Sequence, residues 1–479
     1  MTEPRLLPRG MLVDGEWVSD GEHGTFEVRS PYDGSLVATV PSAGRAEVER
    51  AIAAARRVLT AREFCRHDRI PLLEAAAHEL ADRNEEFARA IAAEAAKPIT
   101  AARIEAARAA DTFAFAAAEC RTYAGEMVPM DATAGGRGKT GFVLRMPIGV
   151  VGAISPFNFP LNLVAHKVAP ALAAGCPVVL KPASQTPVSA LLLAELLTDL
   201  GLPRGWLNVV TGRAGGVGDP IVDSPDIAYI SFTGSAEVGW GIAARAPKKK
   251  VRLELGSNSP LIVDVDGDWE TAARKTATAG FSHAGQSCIS TQRVFVHEDV
   301  ADDYLDALLP RVESLVLGDP FDEATDVSSL ISAGDVERVA GWLAEAAASG
   351  AKVLTGGERD GSCLRPAVVA EVTRDMKLQC EEIFGPVVTV TRFRDFDDAL
   401  AMANDSKFGL QAGVYTRDIG KALRAAATLE YGGVLINEVP TTRVDQQPYG
   451  GVKDSGNTRE GPAYAIEEMT EIRLVSVQA

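Results

Sequence analysis

Five short runs rich in valine and isoleucine follow one another between residues 150 and 255, each cut off by glycine, proline or a polar residue. They are Val150-Val-Gly-Ala-Ile-Ser155, Pro177-Val-Val-Leu-Lys181, Leu207-Asn-Val-Val-Thr-Gly212, Ile227-Ala-Tyr-Ile-Ser-Phe-Thr233 and Val251-Arg-Leu-Glu-Leu255. Most of them lack a clean polar face, which predicts buried parallel strands covered on both sides. Helical stretches such as Val188 to Leu200 lie between them. The βαβ repeat predicts an open, doubly wound α/β sheet, whose ligands bind off the carboxyl ends of its strands. Those ends run into Ser155-Pro-Phe-Asn158, Lys181-Pro-Ala-Ser184, Gly212-Arg-Ala-Gly-Gly-Val-Gly218, Thr233-Gly-Ser235 and Gly256-Ser-Asn258, which are expected to share one crevice.

Residues from about 46 to 124 are alanine-rich with apolar positions at helical spacing (Val48, Ile52, Ala55, Leu59; Phe87, Ile91, Ala95), predicting a helical layer. From about 256 a second α/β block is expected. It has a helix over Trp269 to Ala284, a strand at Arg293 to His297, helices over Val300 to Val316 and Val336 to Ser349, and strands at Val387 to Val390 and Gly433 to Asn437. Gly141-Phe-Val-Leu-Arg-Met146 and Ile472-Arg-Leu-Val-Ser-Val477 fit neither block. Spare strands need an edge to pair with, and an open edge invites another chain, so an oligomer is expected.

At 479 residues and 46% hydrophobic content, two or three packed domains are the expectation. The formal charge of −17 argues against nucleic acid or an anionic membrane as partner. Six cysteines without a C-x-x-C pair, and six histidines without an H-E-x-x-H motif, indicate neither a disulfide framework nor a metal site. The first eight residues lack an apolar leader core and no apolar run approaches about 18 residues, so cytoplasmic residence is expected.

Cys288, inside Gly285-Gln-Ser-Cys-Ile-Ser-Thr291, is the best candidate nucleophile, because small and polar neighbours leave its sulfur approachable. A free cysteine is equally at home in a core, so the choice depends on its company. That company is Ser155-Pro-Phe-Asn-Phe-Pro160, Val179-Val-Leu-Lys-Pro-Ala183, Phe232-Thr-Gly-Ser235, Leu253-Glu-Leu-Gly256, Gly285-Gln-Ser-Cys288 and Glu381-Glu-Ile-Phe-Gly-Pro386. In order and spacing, from about residue 11 to 475, these resemble the aldehyde dehydrogenase superfamily. Val439-Pro-Thr-Thr-Arg-Val-Asp445 with Pro448-Tyr-Gly-Gly-Val-Lys-Asp-Ser-Gly456 resembles its lactaldehyde and glyceraldehyde-3-phosphate group, although phosphate-handling relatives carry arginine where this chain has Ser287, which argues against a phosphorylated substrate.

The resemblance implies NAD(P)-dependent oxidation of an aldehyde to its carboxylic acid. It also implies a Rossmann-like cofactor domain (1–124, 147–255 and 440–460), a second α/β catalytic domain (256–439) and a small β oligomerisation arm (125–146 and 461–479), in a homodimer or homotetramer. Cys288 would attack the aldehyde, and Asn158 with the Cys288 backbone N–H would hold the oxyanion. Glu254, between Leu253 and Leu255, would activate the water that hydrolyses the thioester. By themselves Asn158 reads as a turn residue flanked by prolines and Glu254 as a side chain pointing out from a strand. Lys167 and Glu460 match a proton-relay pair and equally fit a buried ion pair.

For the cofactor the resemblance implies contacts from Ser155, Pro156, Phe157, Asn158, Lys181, Ala183, Ser184, Gly215, Phe232, Thr233, Gly234, Ser235, Val238, Glu254, Leu255, Gly256, Cys288, Glu382 and Phe384. Gly234 and Ser235 open a helix whose N–H groups can face a pyrophosphate, although a plain turn glycine would look the same. NAD-specific relatives carry glutamate three residues after the lysine. This chain has Ser184 there, which lets NADP in alongside or instead of NAD. For the substrate the resemblance offers Phe113, Phe115, Asn162, His166, His283, Ser287, Ile289 and Arg443. His166 also fits a satisfied core histidine, and Arg443 a surface ion pair with Asp445. A coenzyme-A-acylating enzyme is disfavoured by Glu254, and a non-catalytic relative by the joint presence of Cys288, Asn158 and Glu254.

Overall fold

The computed structural model describes residues 8–478. The leader reading, the first seven residues of the expected cofactor domain and the last residue of the expected arm lie outside that range.

The first sheet has seven strands, in the spatial order 250–254, 227–233, 150–154, 178–181, 207–209, 11–13, 16–18. The five strands expected from the apolar runs are parallel. The chain leaves Val150–Ile154 towards Val178–Lys181 on one side and returns to Ile227–Thr233 on the other, so the switch point lies beside Ile154. There the carboxyl ends of two adjacent strands diverge and leave a crevice. The two outer strands are antiparallel and form a hairpin whose turn residues, Asp14 and Gly15, have φ of 55° and 72°, as a tight I′ hairpin requires.

Helices Arg45–Ala61, Arg66–Asp82, Asn84–Ala95 and Ile99–Thr122 make up the alanine-rich layer. Much of it packs with Asn162–Ala174, which is buried along its whole length, into one core with the parallel strands. Alanine on facing helices permits that close approach, and the core is correspondingly dense.

A second seven-stranded sheet runs 352–355, 367–370, 387–393, 293–297, 260–263, 411–415, 433–436, parallel except for Lys352–Thr355. The expected helix from Trp269 stops at Ala279, not Ala284. His283, Ala284 and Gly285 instead take left-handed conformations, with φ of 50°, 53° and 70°. The two unplaced segments pair with each other. Lys139–Pro147 and Thr470–Gln478 are antiparallel over nine residues, and Met127–Val128 completes a three-stranded sheet. Among the described residues no helix is long and apolar enough to cross a membrane.

Candidate active site

The left-handed residues before Cys288 turn the chain sharply where helix 269–279 would otherwise continue. Two non-glycine residues held there cost on the order of 1 kcal/mol each, which the surrounding packing must offset. The result places the Cys288 sulfur on the wall of a cavity of about 170 Å3, in van der Waals company with Ile289, Leu410 and Tyr449. Its sulfur lies 2.8 Å from the Tyr449 hydroxyl. Burial pushes the thiol up to about 12, while the Tyr449 hydrogen bond and the Arg443 charge pull it down.

Asn158 follows strand 150–154 and is buried. One amide hydrogen donates to the Gln286 carbonyl at 2.9 Å, tying it to the Cys288 turn. The Cys288 N–H makes no hydrogen bond among the described residues, so it is available as an oxyanion donor beside Asn158.

Glu254 ends strand 250–254, opposite Thr233. Its side chain turns inward and is 4% exposed, with neither oxygen hydrogen-bonded. Burial, and then repulsion from Glu460, raise it well above the usual carboxylate range; Arg443 and Lys167 oppose this. A carboxylate raised in this way holds a proton more readily than an ordinary one, which suits it to accepting one from water. Glu460 is held low instead: burial would raise it, but Arg443 donates to it at 3.0 Å and Lys167 stands 3.7 Å away. Lys167 donates to Ser231 and Thr233, at 3.1 and 2.6 Å, and burial lowers it. Lys167, Glu460 and Glu254 therefore share one buried electrostatic cluster, and the relay and ion-pair readings name the same geometry.

The substrate-facing wall differs from expectation. Helix 99–122 presents Ala101, Ile104, Glu105 and Arg108 to the cavity, a single face at i, i+3, i+4 and i+7. Phe113 is instead fully buried in the core and Phe115 is on the outside. Asn162, His283, Ser287, Ile289 and Arg443 do line the cavity. His166 does not. Its ring sits behind the wall, between Asp445 at 2.9 Å and Arg443 at 3.1 Å, and burial lowers it. Nor does Arg443 pair with Asp445. That carboxylate accepts both Nε and Nη2 of Arg108, at 3.0 and 2.9 Å, and Asn162 Nδ2 at 3.0 Å. Although burial opposes it, His166 and Arg108 hold Asp445 well below the usual carboxylate range. Lys97, which the motifs did not single out, pairs with Glu105 and stands 3.6 Å from the centre of the Phe159 ring. Arg108, Asp445, Lys97 and Tyr449 are thus functional candidates known only from the fold.

The residues at the switch point fit a dinucleotide. Helix Ala236–Arg245 begins after Gly234-Ser235 with no side chain capping its first turn, leaving N–H groups for a pyrophosphate. Lys181 is buried, its Nζ bonds only the Pro182 carbonyl, and burial lowers it to about 8. Ammonium hydrogens therefore remain free for ribose hydroxyls. Ser184 Oγ donates to the Gly212 carbonyl at 2.7 Å, and Val238 is exposed beside Ser235. Glu382 receives the Ser257 N–H at 3.0 Å and is pushed up to about 7 by burial. It lies so near Gly256 that a Cβ there would overlap its carboxylate. Phe384, at φ of 47°, meets Phe157 edge-on at 5.8 Å, and Ser155 Oγ is buried without a partner. Phe232 and Leu255 have their side chains in the core, so only their backbone can face a cofactor. Pro156 and Ala183 sit half-buried in the adjoining turns, and Gly215 lies in the wide turn 214–218.

Residues 17–475 match the aldehyde dehydrogenase family model. The chain is 43% identical to 3-sulfolactaldehyde dehydrogenase of Priestia aryabhattai, over 97% of each protein. It is 37% identical to an NADP-dependent succinate-semialdehyde dehydrogenase of Escherichia coli, over 100% of this chain and 99% of that one. Among solved structures, aldehyde dehydrogenase 21 of Physcomitrella patens, in complex with its reaction product succinate, superposes with a TM-score of 0.95 at 41% identity, covering 98% of both chains. The chain belongs to the aldehyde dehydrogenase family and is an NAD(P)-dependent oxidoreductase that converts an aldehyde to its carboxylic acid.

Proposed function

We propose that the aldehyde carries a second, anionic group, a carboxylate or sulfonate, a few carbons from the carbonyl. The carrying observation is the set of cations on the cavity wall: Lys97, Arg108 and Arg443 line it with Cys288, each held in place by one carboxylate, Glu105, Asp445 and Glu460 respectively. Arg443 Nε and both His283 ring nitrogens are buried without partners, so polar groups await a polar ligand. The names of the relatives, sulfolactaldehyde and succinate semialdehyde, and the succinate complex belong to the same chemical class. A charge-assisted hydrogen bond contributes about 1.5–3 kcal/mol, so kcat/KM for succinate semialdehyde is expected to exceed that for butanal by about 10- to 150-fold. Arg443→Met is expected to erase most of that ratio. Equal use of the two aldehydes by the parent enzyme contradicts the reading.

In the proposed division of roles, Cys288 attacks the carbonyl while Asn158 and the Cys288 N–H hold the oxyanion of the thiohemiacetal. The nicotinamide ring of a bound cofactor supplies the hydride acceptor. Glu382 and Phe384 hold its ribose, Lys181 the adenosine ribose, and the helix start at Gly234 the pyrophosphate. Glu254 takes a proton from the water that hydrolyses the Cys288 thioester and passes it towards Lys167 and Glu460. The cofactor, catalytic and arm functions follow the three segment sets given by the sequence. Thr470–Gln478 has one open edge and exposes Ile472, Leu474 and Val477, which supports a homodimer or homotetramer joined through it.

For the cofactor, the absence of a carboxylate at Ser184 supports NADP, alone or alongside NAD. Ser184→Glu is expected to move the NADP-to-NAD ratio of kcat/KM towards NAD by about 10- to 100-fold, since like charges a few ångströms apart at an effective dielectric of about 20 repel by a few kcal/mol. A parent enzyme that already prefers NAD strongly contradicts it.

A further inference from the structure

Tyr449 is the residue nearest the nucleophile that the reaction described above does not use. Its ring is 2% exposed, its hydroxyl is 2.8 Å from Cys288 Sγ, and the Arg443 guanidinium carbon lies 3.7 Å from the ring centre. The position is fixed from behind, because the Tyr449 N–H bonds the Glu460 carbonyl at 3.1 Å and Glu460 is itself tied to Arg443. Apart from the cysteine, the hydroxyl has no hydrogen-bond partner among the described residues.

We propose that the Tyr449 hydroxyl donates a hydrogen bond to the Cys288 thiolate and is the group that stabilises the ionised nucleophile where it packs beside Ile289 and Leu410. A phenol is a strong donor and a thiol a weak one, and a cation over the ring face withdraws density from the O–H, which sets the direction of the bond. Ionisation releases the thiol proton to water in the cavity, and the phenol keeps its own. Among the described residues no histidine hydrogen-bonds the sulfur; His283 lines the same cavity, and burial holds it well below the usual imidazole range. The other charged groups around it are Arg443, which favours the thiolate, and Glu254 and Glu382, which oppose it. Across the cavity Lys97 and Arg108 are paired with Glu105 and Asp445. This inference rests on Cys288 being the nucleophile but not on the identity of the aldehyde.

The test is the rate at which iodoacetamide, a neutral reagent that needs no aldehyde, alkylates Cys288 from pH 6 to 10, read on the Cys288 peptide by mass spectrometry. Tyr449→Phe keeps the ring beneath Arg443 and removes only the hydroxyl. It is expected to slow alkylation about tenfold or more at each pH in that range. Incorporating 3-fluorotyrosine at 449, a stronger donor in the same shape, is expected to do the reverse. Unchanged profiles overturn the proposal, and so does faster alkylation in Tyr449→Phe, which would mean that the thiol donates to the phenol. Equal use of succinate semialdehyde and butanal by the parent enzyme, with the alkylation profiles shifting as expected, would count against the substrate reading and leave this proposal standing.

Discussion

Replacing Cys288 by alanine is expected to lower aldehyde-dependent NADPH formation by at least about 10,000-fold while leaving NADP binding in place. The size follows from what is lost. Without the sulfur there is no covalent adduct from which hydride can depart, and the oxyanion donors Asn158 and the residue-288 N–H have nothing to stabilise. The other five cysteines do not substitute, since none lines this cavity. Initial rates with NADP and succinate semialdehyde, with cofactor binding followed separately by fluorescence, check this. Residual turnover within tenfold of the parent would remove Cys288 from the mechanism.

Glu254→Gln is expected to separate the two halves of the reaction. Hydride transfer does not need the carboxylate, so a burst of NADPH equal to the number of subunits should appear within the first turnover. Hydrolysis then loses its base, and steady-state turnover should fall by about 100- to 10,000-fold. The same residue sets a pH dependence. Burial and Glu460 raise its pKa, and only the ionised form accepts a proton, so thioester hydrolysis in the parent should weaken as pH falls through that raised value. The burst amplitude should stay constant over the same range. Glutamine cannot titrate, and the acid limb should be absent from its slow residual turnover. Steady-state turnover at the parental rate would contradict the assignment.

Those roles were legible in the sequence to different depths. Continuous apolar runs with abrupt polar ends placed five parallel strands and the crevice at their ends, because a strand covered on both faces tolerates little else. Pro260–Val263 and Gln411–Tyr415 are just as buried, but the first is bounded by Pro260 and Asp264 and the second holds Gln411 and Gly413, so neither stands out as a continuous apolar run. In helix 99–122 alanine occupies so many positions that no face stands out, and the lining side shows only once Arg108 meets Asp445, 337 residues away. The break at Ala279 was hidden because Ser282, His283 and Ala284 have no special preference for a left-handed turn; contacts around the cavity impose it. Tyr449 precedes Gly450-Gly451 and reads as part of a turn, and nothing in the chain announces that its hydroxyl reaches Cys288. Motifs brought forward the proposed nucleophile, base and oxyanion donor, whereas the cations on the cavity wall come from residues that only the fold brings together.

The most direct test of the account is to trap its central intermediate. Glu254→Gln enzyme mixed with NADP and succinate semialdehyde, quenched in acid after the burst and digested, should yield one acyl group per subunit on the peptide carrying Cys288. A burst with no acyl group on that peptide, or with the group on another cysteine, would contradict it.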